Sequence, residues 1–113
     1  MNSSILEDIK KLLGLHPEIE DFDTDIKIGI NSAFMTLAQL GVMDDNYAIQ
    51  DAGDIWADIK NTDKNSEAIK SYIYLKVRLF FDPPGNSFLV EAIKNQIQEM
   101  EWRMRENVTL KKE

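Results

Sequence analysis

The pair Pro83-Pro84 separates two long segments with a helical pattern, and it constrains the fold more than any other feature of the chain. Neither proline has a backbone N–H group to donate, and each disfavours helical dihedral angles in the residue before it. Asp82 is therefore the last residue that we expect in the first of the two helices. Gly85 supplies a permissive turn, and Asn86 or Ser87 can cap the next helix. The sequence predicts a helical hairpin with a short connection.

Apolar residues at helical spacing lie on both sides of this turn. We predict a third helix from Ser66-Glu67 to Phe81 and a fourth helix from the turn to Arg105. The apolar stripe of the third helix consists of Ile69, Ile73, Val77 and Phe80. The stripe of the fourth helix consists of Leu89, Ile93, Ile97, Met100 and Met104. Each stripe predicts one buried face for its helix.

Two further helices are predicted before the hairpin. The first runs from Ser4 to Leu13, where Ser4 and Glu7 fit a capping box and Gly14 suits the position after the helix. Its stripe consists of Ile5, Leu6, Ile9, Leu12 and Leu13. The second begins near Asp23 or Thr24 and ends at Leu40. Its stripe consists of Ile26, Ile30, Ala33, Phe34, Leu37 and Leu40, and Gly41 ends the helix.

The segment from Val42 to Asn65 has a weaker pattern than the helices around it. We expect, in order, a turn at 44–46, an extended piece at 47–49, a turn at 51–53 and a short helix around Ile55, Trp56 and Ile59 that ends at Asn61. Connections in helical bundles usually have about 2–8 residues, and longer loops are often functional. This loop is therefore a candidate functional segment.

The predicted fold class is all-α. The chain forms a small bundle of four main helices plus one short helix, with a long loop between the second and third main helices. With 113 residues it is long enough for one modest core, so we expect a single helical domain over residues 1–106. Residues 107–113 carry no helical pattern, and we expect a flexible C-terminal tail there.

Composition excludes several classes of function. The formal net charge of −7 argues against a site that holds nucleic acid by neutralising its phosphates. The chain has no cysteine, so disulfides, thiolate catalysis and thiolate metal sites are excluded. The N-terminal segment is amphipathic rather than a signal peptide, and no apolar run approaches about 20 residues. We expect an intracellular product.

The sequence also predicts no catalytic, cofactor-binding or metal-binding residue. The spacing Asp21-x-Asp23-x-Asp25 matches the first half of a calcium loop, but Ile26 and Ser32 stand where the loop needs Gly and Glu. These carboxylates are instead expected to stabilise the positive end of the second helix. His16 is the only histidine, which is too few for a zinc site, and it has no evident partner to orient it as a base.

Trp102 lies off the apolar stripe of the fourth helix, among charged residues. Trp and Arg are the residues that dominate interface hot spots, and both Arg103 and Arg105 are close to Trp102 in the sequence. Trp102 is therefore a candidate interface anchor. The alternative is that its side chain covers the edge of the chain's own core. The sequence leaves both readings open.

Taken in order, several segments resemble one family. The run Ser71-Tyr-Ile-Tyr-Leu-Lys-Val-Arg-Leu-Phe-Phe-Asp-Pro-Pro84 is similar to the signature of the head–tail connector (head-completion adaptor) proteins of tailed bacteriophages. Residues 21–23, 30–33 and 37–42 resemble the second helix of that family. Ile97-x-x-Met100-Glu101-Trp102-Arg103 resembles its last helix. The likeness covers most of residues 4–106, and residues 43–65 are the variable part.

The resemblance implies a non-enzymatic structural protein without a cofactor. It implies an adaptor subunit that binds the phage portal protein, joins further copies of itself in a ring of about twelve and extends the DNA channel. The ring would also provide the docking surface for the next head–tail joining protein. DNA would pass through without specific binding, and no membrane is involved. The expected location is the head–tail interface of the virion, and the host cytoplasm during assembly.

The resemblance also implies two sites. The loop after the second helix would face the channel, with Asp44, Asp45, Asn46, Tyr47, Ile49 and Asp51. The last helix and the tail would contact the portal or a neighbouring subunit, with Trp102, Arg103, Arg105, Val108 and Leu110.

An alternative hypothesis from another class is a small cytoplasmic regulator that binds one protein partner, of the antirepressor or antitoxin type. A regulator would form a dimer or a 1:1 complex, whereas a connector forms a large ring. A small enzyme is disfavoured by the missing cysteine, the single histidine and the lack of a site motif.

Overall fold

The computed structural model describes residues 3–43, 47–59 and 66–112. Four α-helices follow one another: α1 (Ile5–Leu12), α2 (Asp23–Gln39), α3 (Ser66–Phe81) and α4 (Ser87–Lys112). The predicted all-α fold with four main helices is confirmed. Where we expected a short fifth helix, the described residues form one three-residue 3-10 turn, Trp56–Asp58.

The α3–α4 hairpin has the predicted boundaries. The last hydrogen bond of α3 runs from the Asp82 N–H group to the Arg78 carbonyl oxygen, at 2.8 Å. Asn86 caps α4, because its side-chain oxygen accepts a hydrogen bond from the Phe88 N–H group at 2.8 Å. The two prolines lie between these contacts. Because they have no N–H group to donate, α3 ends before them and α4 begins after them.

The caps of α1 and α2 also follow the sequence. The Ser4 hydroxyl accepts a hydrogen bond from the Glu7 N–H group at 3.2 Å, as the capping box predicts. Gly14 and Gly41 follow the ends of these helices with φ angles of 83° and 82°, a left-handed conformation that favours glycine.

A buried lysine holds the connection between α1 and α2. The Lys10 ammonium lies 2.8 Å from an Asp23 carboxylate oxygen and donates to the carbonyl oxygens of Pro17 and Ile19. Its side chain is almost fully buried. Because a buried charge is costly unless it is paired, these contacts position the loop over the start of α2.

The core lies between α2 and α3, with α1 and α4 packed around this pair. The backbones of α2 and α3 approach closely at Gly29, where an added Cβ atom would lie 3.3 Å from Cγ2 of Val77. Most predicted stripe residues are buried, including Ile30, Phe34 and Ile73.

Leu12, Phe80 and Leu89 belong to predicted core stripes, but all three are exposed, Phe80 to 61%. For these three residues the expectation of burial was wrong. Leu12 is the last residue of α1, and Phe80 and Leu89 lie next to the hairpin turn. The period of a helix predicts which face a residue occupies, but it does not show whether another element covers that end of the face.

The long loop after α2 is packed against the bundle along most of its described length. The Asn31 side chain makes two hydrogen bonds to the Ile49 backbone: its amide donates to the carbonyl at 3.0 Å, and its oxygen accepts from the N–H group at 2.8 Å. Further along, the Ile5 N–H group donates to the Asp54 carbonyl oxygen at 3.0 Å. Val42, Met43, Ile49, Trp56 and Ile59 are buried in the core.

At its C-terminal end, α4 continues to Lys112, into the segment where we expected an unpatterned tail. The Val108 side chain is half-buried and packs against the core. The mobility of residues 107–113 stays a prediction.

Candidate protein interface

The loop residues expected to face a channel have different environments. Asp44, Asp45 and Asn46 lie outside the described residues. Ile49 is 2% exposed, and the half-buried Tyr47 ring contacts Phe34 edge to face, with the ring centroids 5.3 Å apart.

Asp51 is exposed, and its carboxylate accepts a hydrogen bond from the Gly53 N–H group at 2.7 Å. Of the described residues in this set, Asp51 is the one whose side chain lies at the surface. A channel-facing role of this loop stays a prediction.

The candidate residues of α4 divide into an exposed and a covered group. Trp102 is 60% exposed, and Arg103 and Arg105 are exposed beside it. Val108 instead faces inwards, and its Cγ1 atom would lie 3.3 Å from a Cβ atom added to Gly41. Leu110 belongs to the helix, but its side chain lies outside the described part of the structure.

The exposed group forms one surface, which we call the Trp102 face: Trp102, Arg103 and Arg105. The Arg103 guanidinium donates to the Glu99 carboxylate, one turn earlier, at 3.0 Å. A tryptophan that covered the edge of its own core would be mostly buried, and Trp102 is not. Its exposure favours the interface-anchor hypothesis over that alternative.

Tyr72 and Glu101 fix α4 behind this face. The buried Tyr72 hydroxyl donates a hydrogen bond of 2.7 Å to a Glu101 carboxylate oxygen. Burial, and then the hydrogen bond to the negative carboxylate, raise the pKa of Tyr72 well above its ordinary value. The tyrosine therefore stays protonated and acts as a permanent donor to the residue that precedes Trp102.

A second exposed surface lies at the hairpin turn, and the sequence analysis missed it. We call it the apolar end; its exposed members are Phe22, Ile28, Phe80, Phe88 and Leu89. The Phe22 and Phe81 rings contact each other edge to face at 5.3 Å. Between α2 and α3, Ile28 and Phe80 line an open groove of about 320 Å³ together with Gly29, Ser32, Lys76 and Leu79.

Sequence signals for the apolar end did exist. Ile28 lies on α2 off its core stripe, and it is more than half exposed. Phe88 directly follows the turn and is 84% exposed. Single exposed apolar residues are ordinary, but several at one end of a small domain mark a candidate interaction surface.

A third cluster joins three elements and is structural. The Asp8 carboxylate accepts hydrogen bonds from the Ser3 hydroxyl at 2.9 Å and the Trp56 indole at 2.8 Å, and it lies 3.5 Å from the Lys70 ammonium. Burial opposes ionisation of Asp8, but the two hydrogen bonds and the lysine outweigh it and lower its pKa. The cluster attaches the loop at Trp56 to α1 and α3.

Within the described ranges, no three His, Asp or Glu side chains come close enough to hold a metal ion. The helices of the described part are also too short or too polar to span a membrane.

Comparison with protein families decides the assignment. The family described as phage connector protein matches residues 5–109, which include all four helices except the last residues of α4. The chain belongs to this family. Neither a search of curated proteins nor a search of solved structures found a match.

Membership confirms the family resemblance of the sequence, and it assigns the chain a structural role in phage assembly. The family is structural rather than catalytic, and its members work with other phage head and tail proteins as components of the virion. The exposed surfaces of this chain are therefore candidate contacts with protein neighbours.

Proposed function

We propose that the chain is an adaptor subunit of the head–tail connector, which binds the portal ring and extends the DNA channel. About twelve copies form the assembled ring, and the ring offers a docking surface to the next head–tail joining protein. The observation that carries this proposal is the family match over residues 5–109, nearly the whole described chain.

The arrangement of exposed side chains supports a subunit of a ring. A closed ring uses heterologous contacts, in which each subunit offers two different surfaces. The chain has two different exposed surfaces, the Trp102 face in the C-terminal half of α4 and the apolar end at the hairpin turn. A residue pair such as Trp102 and Arg103 is typical of an interface hot spot.

The charge supports a conduit that does not retain DNA. The formal net charge is −7, and a surface with excess carboxylates repels phosphates. Asp51 is an exposed carboxylate in the loop that we expect to face the channel. DNA would then pass along the ring without specific binding.

Native mass spectrometry tests the proposal directly. The purified chain is measured alone and mixed with the portal ring of the same phage. We expect a monomer that adds to the portal in about a dozen copies, because the portal templates the ring. A stable dimer that ignores the portal would contradict the adaptor function and favour the alternative of a small regulator.

Variants of α4 then test the binding surface. Trp102→Ala combined with removal of residues 109–113 keeps Val108, which packs on the core, and should reduce the number of bound copies. Gln96→Ala with the same truncation is the matched control, because Gln96 is exposed on the same helix but lies about 120° around it from Trp102. Normal portal binding by the first variant would exclude this part of α4 from the portal interface.

A further inference from the structure

The apolar end has a rim of carboxylates. Glu20 and Asp21 directly precede Phe22, and both are exposed. Asp82 is exposed and follows Phe81 at the turn. Asp25 is exposed one helical turn before Gly29, on the side of α2 that lines the groove. Because Lys76 lines the groove itself, a partner that covers this surface must bring apolar side chains to the groove and positive charge to the rim.

The Trp102 face has this chemistry. It presents one large aromatic side chain between two arginines, and all three are exposed. Among the described side chains from 102 to 108, the two arginines stand against one carboxylate, Glu106. Residues 18–25, by contrast, contain five carboxylates and no Lys or Arg, and Asp23 is the one of them that pairs with Lys10. The two arginines therefore find carboxylate partners at the apolar end, although the whole chain is acidic.

The two surfaces cannot meet within one molecule. Phe88 and Trp102 lie on the same continuous helix and are fourteen residues apart, which is about 21 Å at 1.5 Å per residue. Trp102 also lies on the side of α4 opposite to the buried residues Ile93 and Met104. Any contact between the two surfaces must therefore join two molecules.

We propose that the Trp102 face of one copy docks on the apolar end of the next copy. Trp102 enters the groove between α2 and α3, next to Ile28 and Phe80, and the two arginines meet the carboxylates of the rim. The contact is heterologous, so repeating it gives a ring when the rotation that relates neighbouring copies closes after a full turn. This inference rests on the proposed ring function and identifies the two surfaces that would build the ring.

Introduced cysteines test the contact, because the natural chain has none. The double variant Ser32→Cys/Gln98→Cys keeps Trp102 and Phe80: Ser32 lines the groove, and Gln98 is exposed one turn before Trp102 on the same face of α4. It is oxidised at about 1 mM, where a contact with a Kd near 1 mM is substantially populated. We expect a ladder of covalent oligomers beyond the dimer on a non-reducing gel. The single variants Ser32→Cys and Gln98→Cys are the controls, and each should form dimers only, by collision and more slowly than the double variant forms its ladder.

The position control is Glu67→Cys/Gln98→Cys, since Glu67 is exposed at the start of α3, away from the apolar end. A ladder no stronger than that of this control would overturn the proposal. Dimers of a single variant that form as fast as the ladder would also overturn it, because they indicate contact between like surfaces.

Charge reversal supplies a second readout. Arg103→Glu/Arg105→Glu in the double-cysteine chain should abolish the ladder, and adding Asp21→Lys/Asp25→Lys should restore it. A ladder that survives the first reversal, or that is not restored by the second, would contradict pairing between these charges.

The experiment uses the chain without the portal, so the two proposals fail separately. A ring that forms on the portal while the free double-cysteine chain gives no ladder would retain the adaptor function and overturn this interface. A ladder from a chain that does not bind the portal would retain the interface and overturn the adaptor function.

Discussion

The Tyr72 hydroxyl donates a hydrogen bond of 2.7 Å to the Glu101 carboxylate, and this bond links the centre of α3 to the C-terminal half of α4. Tyr72 is fully buried and Glu101 is half-buried, so the bond lies at the border of the core. A hydrogen bond to a charged acceptor is stronger than one between neutral groups. Because Glu101 precedes Trp102, the same bond holds the Trp102 face in position.

We predict that Tyr72→Phe lowers the free energy of unfolding by about 1.5–3 kcal/mol, because the carboxylate loses its buried donor. Urea denaturation measures the change. Tyr74→Phe is the matched control: its half-buried hydroxyl accepts a longer hydrogen bond of 3.2 Å from Arg78. The control should cost less, about 1 kcal/mol. Equal costs for the two variants would contradict a special role for the Tyr72–Glu101 bond.

The raised pKa of Tyr72 predicts a loss of stability at alkaline pH. Above the ordinary value of 10.0, the unfolded chain releases the tyrosine proton while the folded chain keeps it. The contribution of Tyr72 is therefore complete below that pH, and it falls by about 1.4 kcal/mol per pH unit above it. The stability difference between the natural chain and Tyr72→Phe should shrink between about pH 9 and pH 11 in denaturation experiments. A constant difference would show an ordinary pKa.

Local sequence chemistry predicted the four main helices and most of their ends, although α4 continues to Lys112 instead of ending at Arg105. The prolines at 83–84, the Ser4 cap and the two left-handed glycines act through the backbone of neighbouring residues, so their effects can be read from short segments. In the same way, the period of α4 placed Trp102 off the apolar stripe, but it left open whether the side chain is exposed, and the structure shows that it is.

Contacts between distant segments were harder to predict. The Asn31 side chain binds the backbone of Ile49, eighteen residues later, and no local pattern indicates such a pair. The exposure of Phe80 depends on where the other helices end, which helical period does not encode. The apolar end was missed for this reason, although Trp102, Arg103 and Arg105 had been singled out as interface candidates.

Asn31 should control the order of the loop after α2. We predict that Asn31→Ala speeds amide hydrogen exchange at Ile49, because that N–H group loses its side-chain acceptor at 2.8 Å. Exchange in the α3 helix should change little. Thr24→Ala is the control, because Thr24 is exposed on α2, the helix that carries Asn31. Unchanged exchange at Ile49 would show that packing of its side chain alone holds the loop.

The two left-handed glycines allow a paired test of the α2–α4 contact. Gly14→Ala and Gly41→Ala each introduce a side chain at a φ angle near +80°, at a cost of roughly 1–2 kcal/mol. The added Cβ meets nothing within 4 Å at Gly14, but it lies 3.3 Å from Val108 at Gly41.

Gly41→Ala should therefore cost about 1 kcal/mol more than Gly14→Ala in urea denaturation. This excess should disappear when Val108→Ala is present in both chains. An equal cost for the two glycines in the natural background would indicate that Val108 moves away from the added Cβ atom without any loss of stability.

The two tryptophans should separate stability from assembly. Trp56 is 8% exposed and donates to Asp8, so Trp56→Ala should lower the free energy of unfolding by about 3–5 kcal/mol. Trp102 is 60% exposed, so Trp102→Ala should change it by less than about 0.5 kcal/mol. Thermal and urea denaturation measure both variants.

Native mass spectrometry with the portal ring should then show fewer bound copies for Trp102→Ala although its fold is intact. A strongly destabilised Trp102→Ala would show that this side chain supports the monomer, and the loss of bound copies would no longer indicate an interface.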